Sequence, residues 1–161
     1  MNERPKFREG TAELLWTEAE RRMRNRVSQQ HNISGPQGQF VGLTVEAAFQ
    51  IASGYPMNLR RLPNGDGGID FVVPLRFLIS ITGYREPRCL LHPKNKAFRC
   101  DIYVLGQYID EDTISEFLGW EYRQKLAAAE IIDLGYGPNH AIEAGKLRKM
   151  PELFDRIMHL R

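Results

Sequence analysis

The chain has 161 residues, 42% of them hydrophobic and 26% charged, with a formal net charge of +2, the balance of an ordinary soluble globular protein large enough for one domain with its own core. No apolar run approaches the roughly 18 residues of a membrane span, and the polar start "MNERPKFREG" lacks the apolar segment of a secretory signal, which makes the cytoplasm the default location. Two cysteines, Cys89 and Cys100, exclude a disulfide framework and read as free thiols.

In chain order, residues 11–30 place Leu15, Ala19, Met23 and Val27 at steps of four, with Arg21, Arg22, Arg24 and Arg26 mostly off that stripe. This predicts an amphipathic helix capped by Thr11. Residues 31–39, "HNISGPQGQ", read as a loop. A second helix is expected over 44–53, with a core stripe of Val45, Ala48, Phe49 and Ala52 and a stop at Gly54. Glu46 stands beside that stripe near the predicted helix start, where the dipole favours a carboxylate. Residues 68–73, "GIDFVV", and 76–83, "RFLISITG", read as strands separated by Pro74 and Leu75, a spacing that suits a tight hairpin. Residues 84–98 form a loop or loose hairpin, and "CDIYVLGQY" and "TISEFLGW" are further strand candidates. The pattern then predicts a helix over 121–132, a loop over 133–140 and a closing helix over 150–160 with Pro151 in its first turn. Trp16 and Trp120 are most simply core residues.

Charge is uneven along the chain. Between 60 and 99, eight basic residues (Arg60, Arg61, Arg76, Arg85, Arg88, Lys94, Lys96 and Arg99) stand against three acids (Asp66, Asp70 and Glu86). Between 101 and 116 there are five acids (Asp101, Asp110, Glu111, Asp112 and Glu116) and no base. A basic run can follow a phosphate backbone or can be a solvated face. The triple Asp110-Glu111-Asp112 lacks the alternation and glycine of a calcium loop and reads as an exposed acidic turn. Cys89-x-x-His92 followed by Cys100, with His140 as a fourth donor, hints at zinc, but only one ligand cluster of the usual two is present. The glycines of "DLGYGPN" have neither the spacing nor the lysine of a phosphate loop, and no nucleophile setting suggests a triad.

The stretch that carries most information is "NGDGGIDFVV", where a glycine-rich turn leads into an apolar strand bearing one carboxylate, Asp70. A helix with a glutamate, then a strand with an aspartate, its hairpin partner and a further strand resembles the core of the PD-(D/E)xK nuclease superfamily. "GDGGIDFVV" is similar to the motif that carries the first metal-binding aspartate of its restriction-endonuclease-like members, and "DIYVLGQY" and "FLGW" to segments of its phage and prophage members. The resemblance spans roughly residues 40–125. It implies an α/β restriction-endonuclease-like core, a central mixed β-sheet flanked by α-helices, within one domain over 1–161 that begins with a helical extension at about 1–32.

The resemblance also implies chemistry. Glu46 and Asp70 would hold Mg²⁺ or Mn²⁺, which neutralises the scissile phosphate and activates water. The acid and lysine of the family's D/E-x-K triplet fall on Ser80 and Thr82, same-face neighbours on the hairpin partner. Serine brings no negative charge to a metal, and threonine no positive charge to the attacking water. Three readings follow. The leading one is a catalytically impaired nuclease homologue that binds DNA, or a nucleic-acid-processing protein, with Arg60, Arg61, Arg85, Arg88, Lys94, Lys96 and Arg99 on phosphates. The second is an active Mg²⁺-dependent endonuclease with a migrated ligand, drawn from Glu86, Asp101, Lys94 or Lys96. The third is a phage-encoded inhibitor of a host defence enzyme, acting in the host cytoplasm through its acidic stretch. A homodimer is compatible with all three.

Overall fold

The fold is that of a computed structural model in which residues 5–24, 35–59, 68–74, 77–135 and 137–158 are described. In chain order it has α1 (Thr11–Arg24), α2 (Pro36–Ser53), β1 (Phe71–Val73), β2 (Phe77–Tyr84), β3 (Cys89–Pro93), β4 (Ile102–Gln107), β5 (Glu116–Tyr122), α3 (Arg123–Ala127), β6 (Ile131–Asp133), β7 (Pro138–Glu143) and α4 (Met150–Met158). It is an α/β architecture built on a mixed sheet of order β1-β2-β4-β5, next to a second sheet of order β3-β7-β6. The β1–β2 hairpin is antiparallel, as the alternation predicts, with Val73 opposite Phe77. β2 and β4 are parallel, and the crossover between them passes through β3 in the other sheet.

Side-chain alternation divides the mixed sheet into two faces. Phe71, Val73, Ile79, Ile81, Ile102, Val104 and Trp120 join one core with residues of α1, α2 and α4. Tyr103 and Leu105 face the other way and pack with Leu90 of β3, Ile142 of β7 and Leu126 of α3. The mixed sheet therefore lies between a helical layer and the second sheet. At the helical face Val45 of α2 seats against Gly83 and Gly106, which are direct partners across β2 and β4. A Cβ on either glycine would overlap the Val45 methyls, so these two positions set how closely α2 approaches. Phe49, one turn on, meets Phe71 at 4.8 Å, Phe117 at 5.8 Å and Phe154 at 5.8 Å between ring centroids.

Several boundaries differ from the predicted ones, each for a physical reason. α1 contributes Leu15 and Ala19 to the core and is described only to Arg24, so Val27 and the rest of the predicted stripe fall outside the described residues. α2 starts at Pro36, eight residues before the predicted start, because proline is preset for a first helical turn and Phe40 and Val41 extend the buried stripe. The predicted helix over 121–132 shrinks to Arg123–Ala127. Glu121 and Tyr122 finish β5, and Ile131–Asp133 pairs with β7, strand pairing overriding the helix propensity of the alanines. The predicted loop or loose hairpin over 84–98 holds β3 and the predicted loop over 133–140 holds the start of β7, and these two strands pair with each other across a long separation in sequence. Trp120 is fully buried, but Trp16 is 39% exposed and covers Phe40 edge-on.

Candidate functional site

Asp70 stands just ahead of β1. Its amide donates to the Ile79 carbonyl at 3.0 Å, one position off the regular β1–β2 register. That offset lets its carboxylate take the place of a main-chain acceptor: Oδ2 accepts from the Ile81 amide and, at 3.3 Å, from the Ser80 hydroxyl. The carboxylate is nearly buried and completes the ladder where β1 runs out. This explains a charged residue beside Phe71, Val72 and Val73. The turn before it is anchored by Asn58, whose side chain donates to the Ile69 carbonyl at 2.7 Å, and by the Cys100 thiol, which donates to the Gly68 carbonyl at 3.2 Å. Gly68 adopts a φ of +76°, a conformation glycine enters without strain.

Ser80 and Thr82 lie on the β2 face opposite Ile79 and Ile81, half-buried, and the Ser80 hydroxyl meets the Asp70 carboxylate. Glu46 is differently engaged. It is buried on α2, and both of its oxygens face the Arg22 guanidinium of α1, at 3.3 and 3.4 Å. Arg22 also reaches Glu18 at 3.2 Å, and Glu18 is held below the ordinary carboxylate value first by its hydrogen bond to Arg21. The Glu46 charge is thus met by a cation of the protein itself.

Asp101 repeats the role of Asp70 on the other edge of β2. Its Oδ2 accepts from the Leu78 amide at 3.0 Å while its own amide donates to the Leu78 carbonyl at 2.8 Å. Glu86 is exposed. Among the described residues no three His, Cys, Asp or Glu side chains gather as a metal group. The zinc hint does not assemble there: His92 and His140 are direct partners on β3 and β7, but Cys89 points from the opposite face of β3 and Cys100 is buried. Asp110 accepts from the Asp112 and Thr113 amides and, at 2.7 Å, from the Thr113 hydroxyl, which holds its carboxyl low. The 110–113 turn is closed by those bonds and by the N-terminal segment, where the Phe7 amide donates to the Asp112 carbonyl at 2.7 Å.

The basic residues separate into distinct environments. Arg60 and Arg61 lie outside the described residues. Arg85 stacks over Tyr108 at 5.0 Å, beside the acidic turn whose Glu111 and Asp110 charges act on the same phenol. Arg88, Lys94, Lys96 and Arg99 are exposed, and none of them has a carboxylate within ion-pair distance among the described residues. By contrast Arg21, Arg22, Arg123, Lys125, Lys146 and Arg148 are all paired. These four cations stand at the ends of β3 and in the loop that follows it. The Arg88 carbonyl accepts from Ala144 at 2.8 Å at one end, and the Lys94 amide donates to Pro138 at 3.0 Å at the other. At ~3.3 Å per residue their backbones are about 20 Å apart.

Two features escape a reading of the sequence. Glu121, directly opposite Tyr103, has a fully buried side chain gripped by Lys125 at 2.7 Å and Arg148 at 3.1 Å. Burial pushes its carboxyl up, but the bonds from Lys125, the Tyr122 amide and Arg148 outweigh it and hold the carboxyl low. The Glu-x-x-x-Lys spacing was the available clue. The other is a ring cluster of His92, Phe98, Tyr103 and His140, in which burial lowers the His92 pKa and the charges of His140 and Lys96 lower it further.

Comparison with protein-family models, curated proteins and solved structures finds no match for the chain. No described helix is long and apolar enough to cross a membrane.

Proposed function

We propose that the chain is a restriction-endonuclease-like domain of the PD-(D/E)xK type whose hydrolytic site has lapsed and which binds the phosphate backbone of nucleic acid, DNA first, through Arg88, Lys94, Lys96 and Arg99. The observation that carries this reading is the clustering of exposed cations: Arg88, Lys94, Lys96 and Arg99 stand together at the ends of β3 and in the loop after it, each without a carboxylate partner among the described residues. Such cations exchange condensed counterions for phosphates, so binding is salt-sensitive and largely blind to sequence.

The donor chemistry of the site opposes hydrolysis. Asp70 and Glu46 would be the carboxylates for Mg²⁺ or Mn²⁺, but Asp70 already serves the Ile81 amide and Glu46 already faces Arg22. Ser80 and Thr82 are neutral where the family has an acid and a lysine. The set fits a hard dication poorly. Purified protein is incubated with plasmid and single-stranded DNA in Mg²⁺ and in Mn²⁺, with Asp70→Asn alongside, and the same samples are run in a gel shift. The expected result is intact DNA with a shift that fades as salt rises. Cleavage that disappears in Asp70→Asn refutes the lapse and makes the chain a working nuclease. Neither cleavage nor shift refutes the phosphate reading and points to a protein partner, with the ordered acidic turn as its contact.

A further inference from the structure

The loop that carries Lys94, Lys96 and Arg99 is closed by rings. Phe98 stacks on His92 with centroids 3.9 Å apart and planes 23° apart, and meets His140 at 5.3 Å and Tyr103 at 5.7 Å, both edge-on. His92 and His140 are side by side because they are register partners on β3, which leads into the loop, and β7, whose Pro138 carbonyl accepts from the Lys94 amide at 3.0 Å. His92 Nε2 lies 3.2 Å from the Lys96 carbonyl, and the Lys96 amide donates to the Pro93 carbonyl at 3.0 Å. At the loop's exit the Tyr103 hydroxyl accepts from the Cys100 amide at 3.2 Å. Phe98 thus plugs the loop into the second core, between Lys96 and Arg99 in sequence.

We propose that Phe98 is the positioning residue of the phosphate-binding loop: held by His92, Tyr103 and His140, it fixes the backbone over 94–99 so that Lys94, Lys96 and Arg99 meet a phosphodiester backbone already ordered. This rests on the phosphate reading above and adds to it the device that makes the cations effective. A loop without the plug has to be ordered at the moment of binding, and that entropy is subtracted from the affinity. The number of cations is unchanged, so the loss falls on affinity and not on its salt slope.

The test uses the full chain and fluorescence anisotropy on a short DNA duplex and on its separate strands. Phe98→Leu keeps an apolar plug but removes the ring contacts, and weakens binding about ten-fold, equivalent to about 1.4 kcal/mol, with an unchanged salt slope. Phe98→Tyr keeps the ring and binds as wild type. By NMR, His92 titrates closer to an ordinary imidazole in Phe98→Leu, because part of its burial is gone. His140→Ala removes another wall of the cluster and gives the same weakening, which covers the case of a poorly folded Phe98→Leu. Wild-type binding that survives Phe98→Leu and His140→Ala unchanged overturns the plug and leaves the phosphate reading standing. A salt slope that falls with affinity also overturns it, since contacts and not ordering have then been lost. No binding by wild type overturns both.

Discussion

If Arg88, Lys94, Lys96 and Arg99 each neutralise one phosphate, the affinity for duplex DNA follows from counterion release. With about four contacts, log K falls against log salt with a slope of about −3.6, so raising salt from about 50 to 200 mM weakens binding about 150-fold. Replacing Lys94 and Lys96 with glutamine leaves about two contacts, a slope of about −1.8 and a loss of about 12-fold over the same range. Arg85 is the internal control. It belongs to the same basic run in the sequence, but it stacks on Tyr108 beside Asp110 and Glu111. Arg85→Gln is therefore expected to leave the slope unchanged. Anisotropy titrations of a labelled duplex at four or five salt concentrations give all three slopes. A wild-type slope near zero, or Arg85→Gln lowering the slope as much as a lysine change does, would refute the assignment of the surface.

Two further predictions concern the frame that holds this surface. A Cβ at Gly119, where φ is +154°, would lie 2.6 Å from Leu147 Cβ and 2.7 Å from the Arg148 carbonyl oxygen. Gly119→Ala pushes that segment away from Trp120, whose amide, carbonyl and indole each hold it with a 3.0 Å hydrogen bond. At ~1 kcal/mol per bond plus backbone strain the cost is about 3–5 kcal/mol, read as a lowered urea midpoint; a change within about 0.5 kcal/mol refutes the contact. Glu121 has a lowered folded-state pKa, so its contribution is present above the unfolded carboxylate value and is lost as pH falls through the folded one. Glu121→Gln is expected to destabilise at neutral pH by about 2 kcal/mol and to flatten the acid limb of the stability profile; parallel profiles for wild type and variant defeat this account.

Much of the helical layer and the hairpin is legible in the sequence, because local periodicity encodes them. The alternation of Phe77, Ile79 and Ile81 against Leu78, Ser80 and Thr82 marks β2, and Pro151 marks the first turn of α4. The second sheet is not legible, because its information is non-local. Cys89 pairs with Glu143, and nothing in "CLLHP" or "PNHAIE" announces the partner. The candidate site was half legible. The turn chemistry of "GDGGID" singles out Asp70, and Ser80 is indeed its neighbour, but the one-residue offset that turns the carboxylate into a ladder acceptor depends on the register of a formed hairpin. Charge counting likewise groups Arg85 with Arg88, although the fold gives them different surroundings.

Two aspartates flank β2, Asp70 just ahead of β1 and Asp101 just ahead of β4, and both serve its backbone. Asp70 accepts from Ile81 on one edge of the strand and Asp101 accepts from Leu78 on the other. Each stands where a neighbouring strand falls short of a main-chain acceptor, and each satisfies an amide that would otherwise be stranded, at a cost of about 1–3 kcal/mol. A carboxylate placed for that reason is needed by the fold whether or not it ever meets a metal. Asp70→Ala removes the acceptor together with the charge, so loss of activity in that variant reports on β2 as much as on chemistry. Asp70→Asn keeps an oxygen for the Ile81 amide and removes only the charge. A melting temperature that holds in Asp70→Asn and falls in Asp70→Ala assigns Asp70 to the ladder, and any cleavage is then judged on the asparagine variant alone. Equal melting temperatures in all three proteins would mean that the Ile81 bond contributes nothing, and the structural reason given for a charge among Phe71, Val72 and Val73 would fail.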